Sequence, residues 1–189
     1  MPKSVTFDRE QVIENVTELF WKKGYNGTSM QDLVNVTGLN RSSFYNSFGD
    51  KFTLFLEALK HYQSLQRDYL QELSNTAKTP KEAIQSLFEG ISQELASEQE
   101  TKGCFISNCI SELGNQDAQV HRFLVENKDQ MVNTFKILIQ EAQQQGEIDA
   151  SKDAKTLALY LFSNLNGLRI TSMIESDIQG VTDLIISVL

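Results

Sequence analysis

Arg41, Ser42 and Ser43 stand together at the head of a short run, Arg41-Ser42-Ser43-Phe44-Tyr45, that puts one long cationic donor and two hydroxyls on a narrow surface. A helix end of this kind fits a DNA major groove, where arginine bonds a guanine edge and serine meets either base or phosphate. Asn40 is placed to cap the run. Phe44 and Phe48, four apart, turn inward, which leaves Tyr45 outside with a hydroxyl able to reach a phosphate. Lys51 would sit in the first turn of a helix capped by Asp50, where the helix dipole disfavours a cation. A phosphate lying over that helix start would justify the charge, and a solvated lysine is the plain alternative. The candidate DNA contacts are Thr28, Ser29, Asn40, Arg41, Ser42, Ser43, Tyr45, Asn46 and Lys51.

The elements that must hold these residues are legible nearby. Thr28 and Gln31 have capping-box spacing, so a helix is expected to start there. Met30, Leu33 and Val34 give that helix an apolar face, and Gly38 closes it. Two short helices about a glycine-bearing turn, the second rich in small polar groups, describe a helix-turn-helix. A supporting helix precedes them. Asp8 and Gln11 mark its start, Phe7 and Val12 fall at staple positions, and Val12, Ile13, Val16, Leu19 and Phe20 form its buried stripe. Gly24 ends it, and Trp21 reads as a core or seam residue.

Gly24-Tyr25, Thr28-Ser29, Leu33, Gly38, Tyr45, Phe48 and Lys51 resemble the amino-terminal signature of the TetR (tetracycline-repressor-like) family of bacterial regulators. The likeness covers residues 8–56. Asn15, Thr17 and the Phe52-Thr53 pair depart from the usual pattern without removing a DNA-facing position. The resemblance implies a transcriptional regulator, usually a repressor, with a variable carboxy-terminal ligand-binding domain.

The rest of the chain reads as helix after helix. A 189-residue chain with 40% apolar residues and two prolines suits long uninterrupted helices around a packed core. Residues 50–76 form one long connecting helix, and Thr79-Pro80-Lys81-Glu82 opens the next. Gly103 to Leu113 makes a short, mostly buried helix, Asp117 to Gln145 a long amphipathic one, and Ser151 starts another that is apolar on more than one side. A last helix carries Ile178, Val181, Leu184, Ile185 and Val188 on one face. The final two helices are the expected homodimer surface, a four-helix arrangement about a twofold axis. The fold class is therefore all-α. A helix-turn-helix DNA-binding domain at 1–48 is followed by a helical ligand-binding and dimerisation domain at 49–189.

Phe88, Cys104, Phe105, Phe123, Phe135, Tyr160 and Phe162 are the candidate ligand contacts, which suggests a hydrophobic or planar effector. The Gly103-Cys104 piece resembles a Gly-Cys segment in a subset of the family, some of whose members sense electrophiles or oxidants through that cysteine. A buried cysteine acting as a small hydrophobe is the alternative. Cys104 and Cys109 point about 140° apart on a helix, which argues against a shared metal ion. With no nucleophile–base pair, phosphate-cradling loop or metal-spaced cluster, neither an enzyme nor a cofactor is expected. The amino terminus lacks a secretory pattern and no run is membrane-length, so a cytoplasmic protein is expected.

The net charge of −8 is unevenly spread. Residues 1–60 hold seven basic and seven acidic groups, so the remainder carries the whole deficit. That balance predicts sequence-specific binding with few phosphate contacts. The expected function is a ligand-responsive repressor that binds a quasi-palindromic operator as a dimer and is released by a small hydrophobic or electrophilic molecule. The alternative is a thiol-based sensor or protein-interaction module of the same fold that does not bind DNA.

Overall fold

The computed structural model describes residues 7–97 and 102–189, and every regular element among them is an α-helix. Helix α1 (Arg9–Gly27) starts where Asp8 accepts the backbone N–H groups of Glu10 and Gln11, satisfying two orphan donors of the first turn. Its last turn is kinked at Gly24, whose φ is 71°. A Cβ there would stand 2.8 Å from the Glu112 carboxylate, so both the left-handed backbone and the close approach require glycine.

Helix α2 (Met30–Thr37) begins one residue later than its sequence pattern suggested. Ser29 is the cap, with Asp32 bonding back to the Ser29 N–H, whereas Thr28 and Gln31 form no capping box. Gly38, at φ 68°, closes α2 in the left-handed conformation. Asn40 then accepts the Ser43 N–H to start α3 (Arg41–Phe48). Asp50 caps the long helix α4 (Lys51–Thr76), as its spacing predicts.

Helix α5 (Pro80–Ser97) opens on Thr79, whose hydroxyl accepts the Glu82 N–H, while Glu82 reaches back to the Lys78 N–H. Helices α6 (Phe105–Leu113) and α7 (Ala118–Gln144) follow. Helix α8 (Ala154–Thr171) is capped by Asp153, so Ser151 lies in the preceding turn and does not start the helix. Helix α9 (Gln179–Ser187) is last.

The buried side chains form two clusters. One joins α1, α2, α3 and the first half of α4 to α6 and the start of α7, with Phe20, Phe44, Phe55 and Phe105 at its centre. The other joins the end of α4 to α5, the rest of α7, α8 and α9, around Phe88, Phe135, Ile139 and Leu161. No helix among the described residues is long and apolar enough to cross a membrane.

Candidate nucleic-acid interface and cavity

Phe44 and Phe48 are both buried and hold α3 onto the amino-terminal core, so its outer face is fixed. That face presents Asn40, Arg41, Ser42, Tyr45 and Asn46, all exposed, with Ser43 half-buried. None of the hydrogen bonds or ion pairs among the described residues engages Arg41, whose donors therefore point to solvent. Other cations of this region are engaged. Arg9 pairs with Glu57 at 2.7 Å and Lys23 with Asp32 at 2.6 Å.

Two expected contacts are placed differently. Thr28 is 1% exposed and its hydroxyl donates to the Gly24 carbonyl at 2.7 Å, so this side chain faces the core and is withdrawn from any DNA surface. Lys51 is half-buried, with its ammonium donating to the Thr28 carbonyl and lying 4.3 Å from the centre of the Tyr25 ring. Burial brings its pKa below the usual lysine value, although Glu112 and Asp32 oppose the shift. Lys51 thus braces the start of α2 against α4, which offsets the unfavourable dipole position without a phosphate. Ser29 is exposed, but its hydroxyl serves the α2 cap through Asp32.

Helix α6 ties this unit to the rest. The Glu112 carboxylate accepts the Tyr25 N–H at 2.9 Å and the Asn26 N–H at 2.7 Å, closing the kinked end of α1. Trp21 is a seam residue, as expected: its indole N–H donates to the Gly103 carbonyl at 3.2 Å, and its ring meets Tyr62 edge-on. Lys102 lies 4.7 Å from the centre of that indole and pairs with Glu18.

A groove of about 440 Å³ opens between α4 and α7, lined by Gln63, Gln66, Arg67, Gln71, Asn127 and Gln130 among others. Two small recesses of about 20 and 30 Å³ lie beside it, and Gln66 and Met131 line all three spaces. Of the expected ligand contacts, only Cys104 and Phe162 reach this system, in the first recess. Phe88 and Phe135 are fully buried in the carboxy-terminal core, and Phe105 and Phe123 are buried in the amino-terminal one. Tyr160 packs against the carboxy-terminal core instead of the cavity. The lining is rich in amides, and Phe162 is the one expected aromatic side chain that contributes to it.

The residues that were not anticipated are Gln63, Gln66, Asn127 and Arg169. A signal existed for two of them: Asn127 interrupts the apolar stripe of α7, and Arg169 is a single basic residue in the greasy stretch of α8. Arg169 lines both recesses and donates to the Tyr62 hydroxyl at 3.1 Å. Burial works against its charge, but Cys104 and Tyr62 hold the guanidinium protonated more firmly than usual.

Cys104 is buried, with the Gln66 amide 3.7 Å from its sulfur. Burial opposes ionisation of this thiol, yet the Arg169 charge and hydrogen bonds from Ser107 bring its pKa below the ordinary value. Burial instead pushes Cys109 up to about 12. Both cysteines are free thiols, and no group of three or more ligand-type side chains that could hold a metal occurs among the described residues.

A small three-helix head that offers an unengaged arginine and a polar helix face defines a helix-turn-helix DNA-binding protein. The chain belongs to the TetR family of transcriptional regulators. Residues 13–58 match the family described as bacterial regulatory proteins, tetR family, and residues 80–185 match the tetracyclin repressor-like carboxy-terminal domain. Along 184 residues the chain is 30% identical to YezE, an uncharacterized HTH-type regulator of Bacillus subtilis, covering 97% of this chain and 95% of that protein. It is 27% identical to the HTH-type transcriptional repressor ComR of Escherichia coli, covering 88% and 80% of the two chains. Among solved structures, a CifR cysteine mutant bound to 26-base-pair operator DNA shares the fold, with a TM-score of 0.85 at 21% identity over 98% of both chains.

Proposed function

We propose that this regulator is a repressor that binds a quasi-palindromic operator as a homodimer and is released by a small molecule held in the α4–α7 cavity. The observation that carries the DNA half is the exposed face of α3, with Arg41 unengaged beside Ser42, Tyr45 and Asn46. Ser43 lies at its margin, and Ser29 and Lys51 are the remaining candidate phosphate contacts. Repression is supported by the named role of ComR, and operator binding by the CifR complexes.

Dimerisation is supported by a band of exposed apolar side chains on the last two helices and the turn between them. Ile174 is 90% exposed and Leu184 66%, with Ile170, Met173 and Val181 around them. So much apolar surface on one side favours a partner of the same kind. Two α3 helices across the twofold axis would then engage successive major grooves.

Effector release needs a differential affinity for two spacings of the heads. In this reading helix α6 is the carrier, because Cys104 at its amino end lines the recess while Glu112 at its other end grips α1. The lowered thiol pKa favours a second trigger at the same place. An α,β-unsaturated carbonyl would take the Cys104 thiolate at its β-carbon; the displaced π pair would settle on the carbonyl oxygen beside Tyr62 and Arg169, and a proton would then return to the α-carbon.

Selection of bound DNA from a random pool, followed by footprinting, tests the reading. A twofold-related sequence is expected, and Arg41→Ala should weaken its binding by about 1–3 kcal/mol. An unchanged footprint with the variant would remove Arg41 from the reading set.

A further inference from the structure

The recesses are lined by a guanidinium with donors to spare. Arg169 carries five N–H donors in a rigid fork, and one hydrogen bond, to the Tyr62 hydroxyl, is formed at 3.1 Å. None of the ion pairs among the described residues involves it. The Cys104 sulfur is its principal negative neighbour, and Glu94 adds a smaller attraction. Cys104 and Tyr62 hold its charge in place, and the donors they leave unused suit a ligand anion, which a guanidinium takes in a bidentate pair.

The shape of the space restricts what that ligand is. The two recesses that Arg169 lines hold only about 20 and 30 Å³, room for a head group of a few atoms. The groove beside them holds about 440 Å³ and is walled by Gln63, Gln71, Asn127 and Gln130, which offer both donors and acceptors. Gln66 and Met131 form the shared threshold.

We propose that the effector is a small organic carboxylate whose acid group enters the recess and pairs with Arg169, while its polar or mixed body lies in the amide-walled groove between α4 and α7. The proposal rests on the reading of this cavity as the effector site and gives that effector a chemical class. The Gln66 amide, at the recess mouth, supplies a second donor to the same acid group. A bound carboxylate also places a negative charge beside Cys104, so it shields that sulfur from alkylation.

Calorimetric titration of the full-length protein with benzoate, 4-hydroxybenzoate and hexanoate, each against its primary amide, tests this directly. At least one carboxylate should bind saturably and about tenfold or more tighter than its amide, since a hydrogen bond to a charged partner has roughly that worth. Arg169→Gln should abolish the preference, and Arg169→Lys should retain it with weaker binding, which keeps the test alive if the glutamine variant fails to fold. Saturating carboxylate should also slow labelling of Cys104 by iodoacetamide in the wild-type protein. No saturable binding by any of the three acids, equal binding of the amides, or a preference that survives in a folded Arg169→Gln protein would each overturn the proposal. Fluorescence anisotropy of labelled operator separates it from the reading on which it rests. A carboxylate that binds through Arg169 without releasing DNA leaves the site assigned and removes the release mechanism. Release by neutral molecules alone, with no acid bound, does the reverse.

Discussion

The two hydrophobic cores of this chain are built from the same kinds of residue yet serve different ends. The carboxy-terminal core closes α5, α8 and α9 with the last parts of α4 and α7, and its outer face carries the exposed apolar band. The amino-terminal core holds α3, but it also takes in α6, more than fifty residues further along the chain. Phe105 meets Phe55 and Tyr62 edge-on, and Glu112 closes the end of α1. The cavity opens where the two cores meet, so a ligand held there would touch the core that also holds α3. Order along the sequence and contact in space therefore divide the molecule differently, and the proposed coupling needs no separate relay.

The largest effects should come from the cores themselves. Phe105→Ala and Phe88→Ala each remove a fully enclosed ring and should each cost about 3–5 kcal/mol of stability. Only Phe105→Ala should also weaken operator binding measured well below the melting transition, because its cavity lies under α1 and α4. Equal loss of DNA affinity in both variants would erase the distinction between the cores.

Glu112→Ala should have a smaller effect, about 1–3 kcal/mol from two unsatisfied backbone N–H groups. Thermal melting gives the cost, and a specific rise in hydrogen exchange at Tyr25 and Asn26 would locate it. A variant as stable as wild type, with those amides still protected, would show that α6 does not hold the end of α1.

The least energetic contrast is between the cysteines. Cys104 ionises below the ordinary thiol value because of Arg169 and Ser107, so its contribution to stability is present above that ordinary value and lost as pH falls through the folded one. Cys109 is raised to about 12 by burial, so its contribution is present below the ordinary value and lost as pH rises towards 12. Mass-spectrometric labelling across pH should show Cys104 reacting at a lower pH than Cys109. Arg169→Gln should move the Cys104 midpoint upward, and an unmoved midpoint would detach the thiol from the guanidinium.

Much of this organisation was legible in the residues because it is local. Asp8, Asn40 and Asp50 each cap the helix their spacing announces, and Gly38 takes the left-handed turn between α2 and α3. Where two local signals overlap, sequence cannot choose between them. Thr28/Gln31 and Ser29/Asp32 are capping boxes offset by one residue, and the choice falls to Ser29 because Thr28 is buried under the Gly24 and Lys51 contacts. The same ambiguity misplaces the start of α8 at Ser151 instead of Asp153.

The cavity was less legible for a general reason. Large aromatic side chains such as Phe88, Phe105 and Phe135 contribute most when wholly buried, so folding consumes them in the cores. What remains for a seam between helices is polar or mixed, and which amide faces it depends on helix rotation that no short window records. Arg169 and Asn127 are exceptions that an apolar stripe exposes, because a lone polar residue there asks for a partner.

Hydrogen exchange on the full-length protein, with and without operator DNA, tests the shared-core account most directly. The amides of α6 should open together with those of α1 and the first half of α4, and their protection should rise when DNA is bound while α5 and α9 stay unchanged. If α6 instead opens with α8 and α9 and is indifferent to DNA, the cavity and the reading helix do not share a core, and the coupling proposed between them fails.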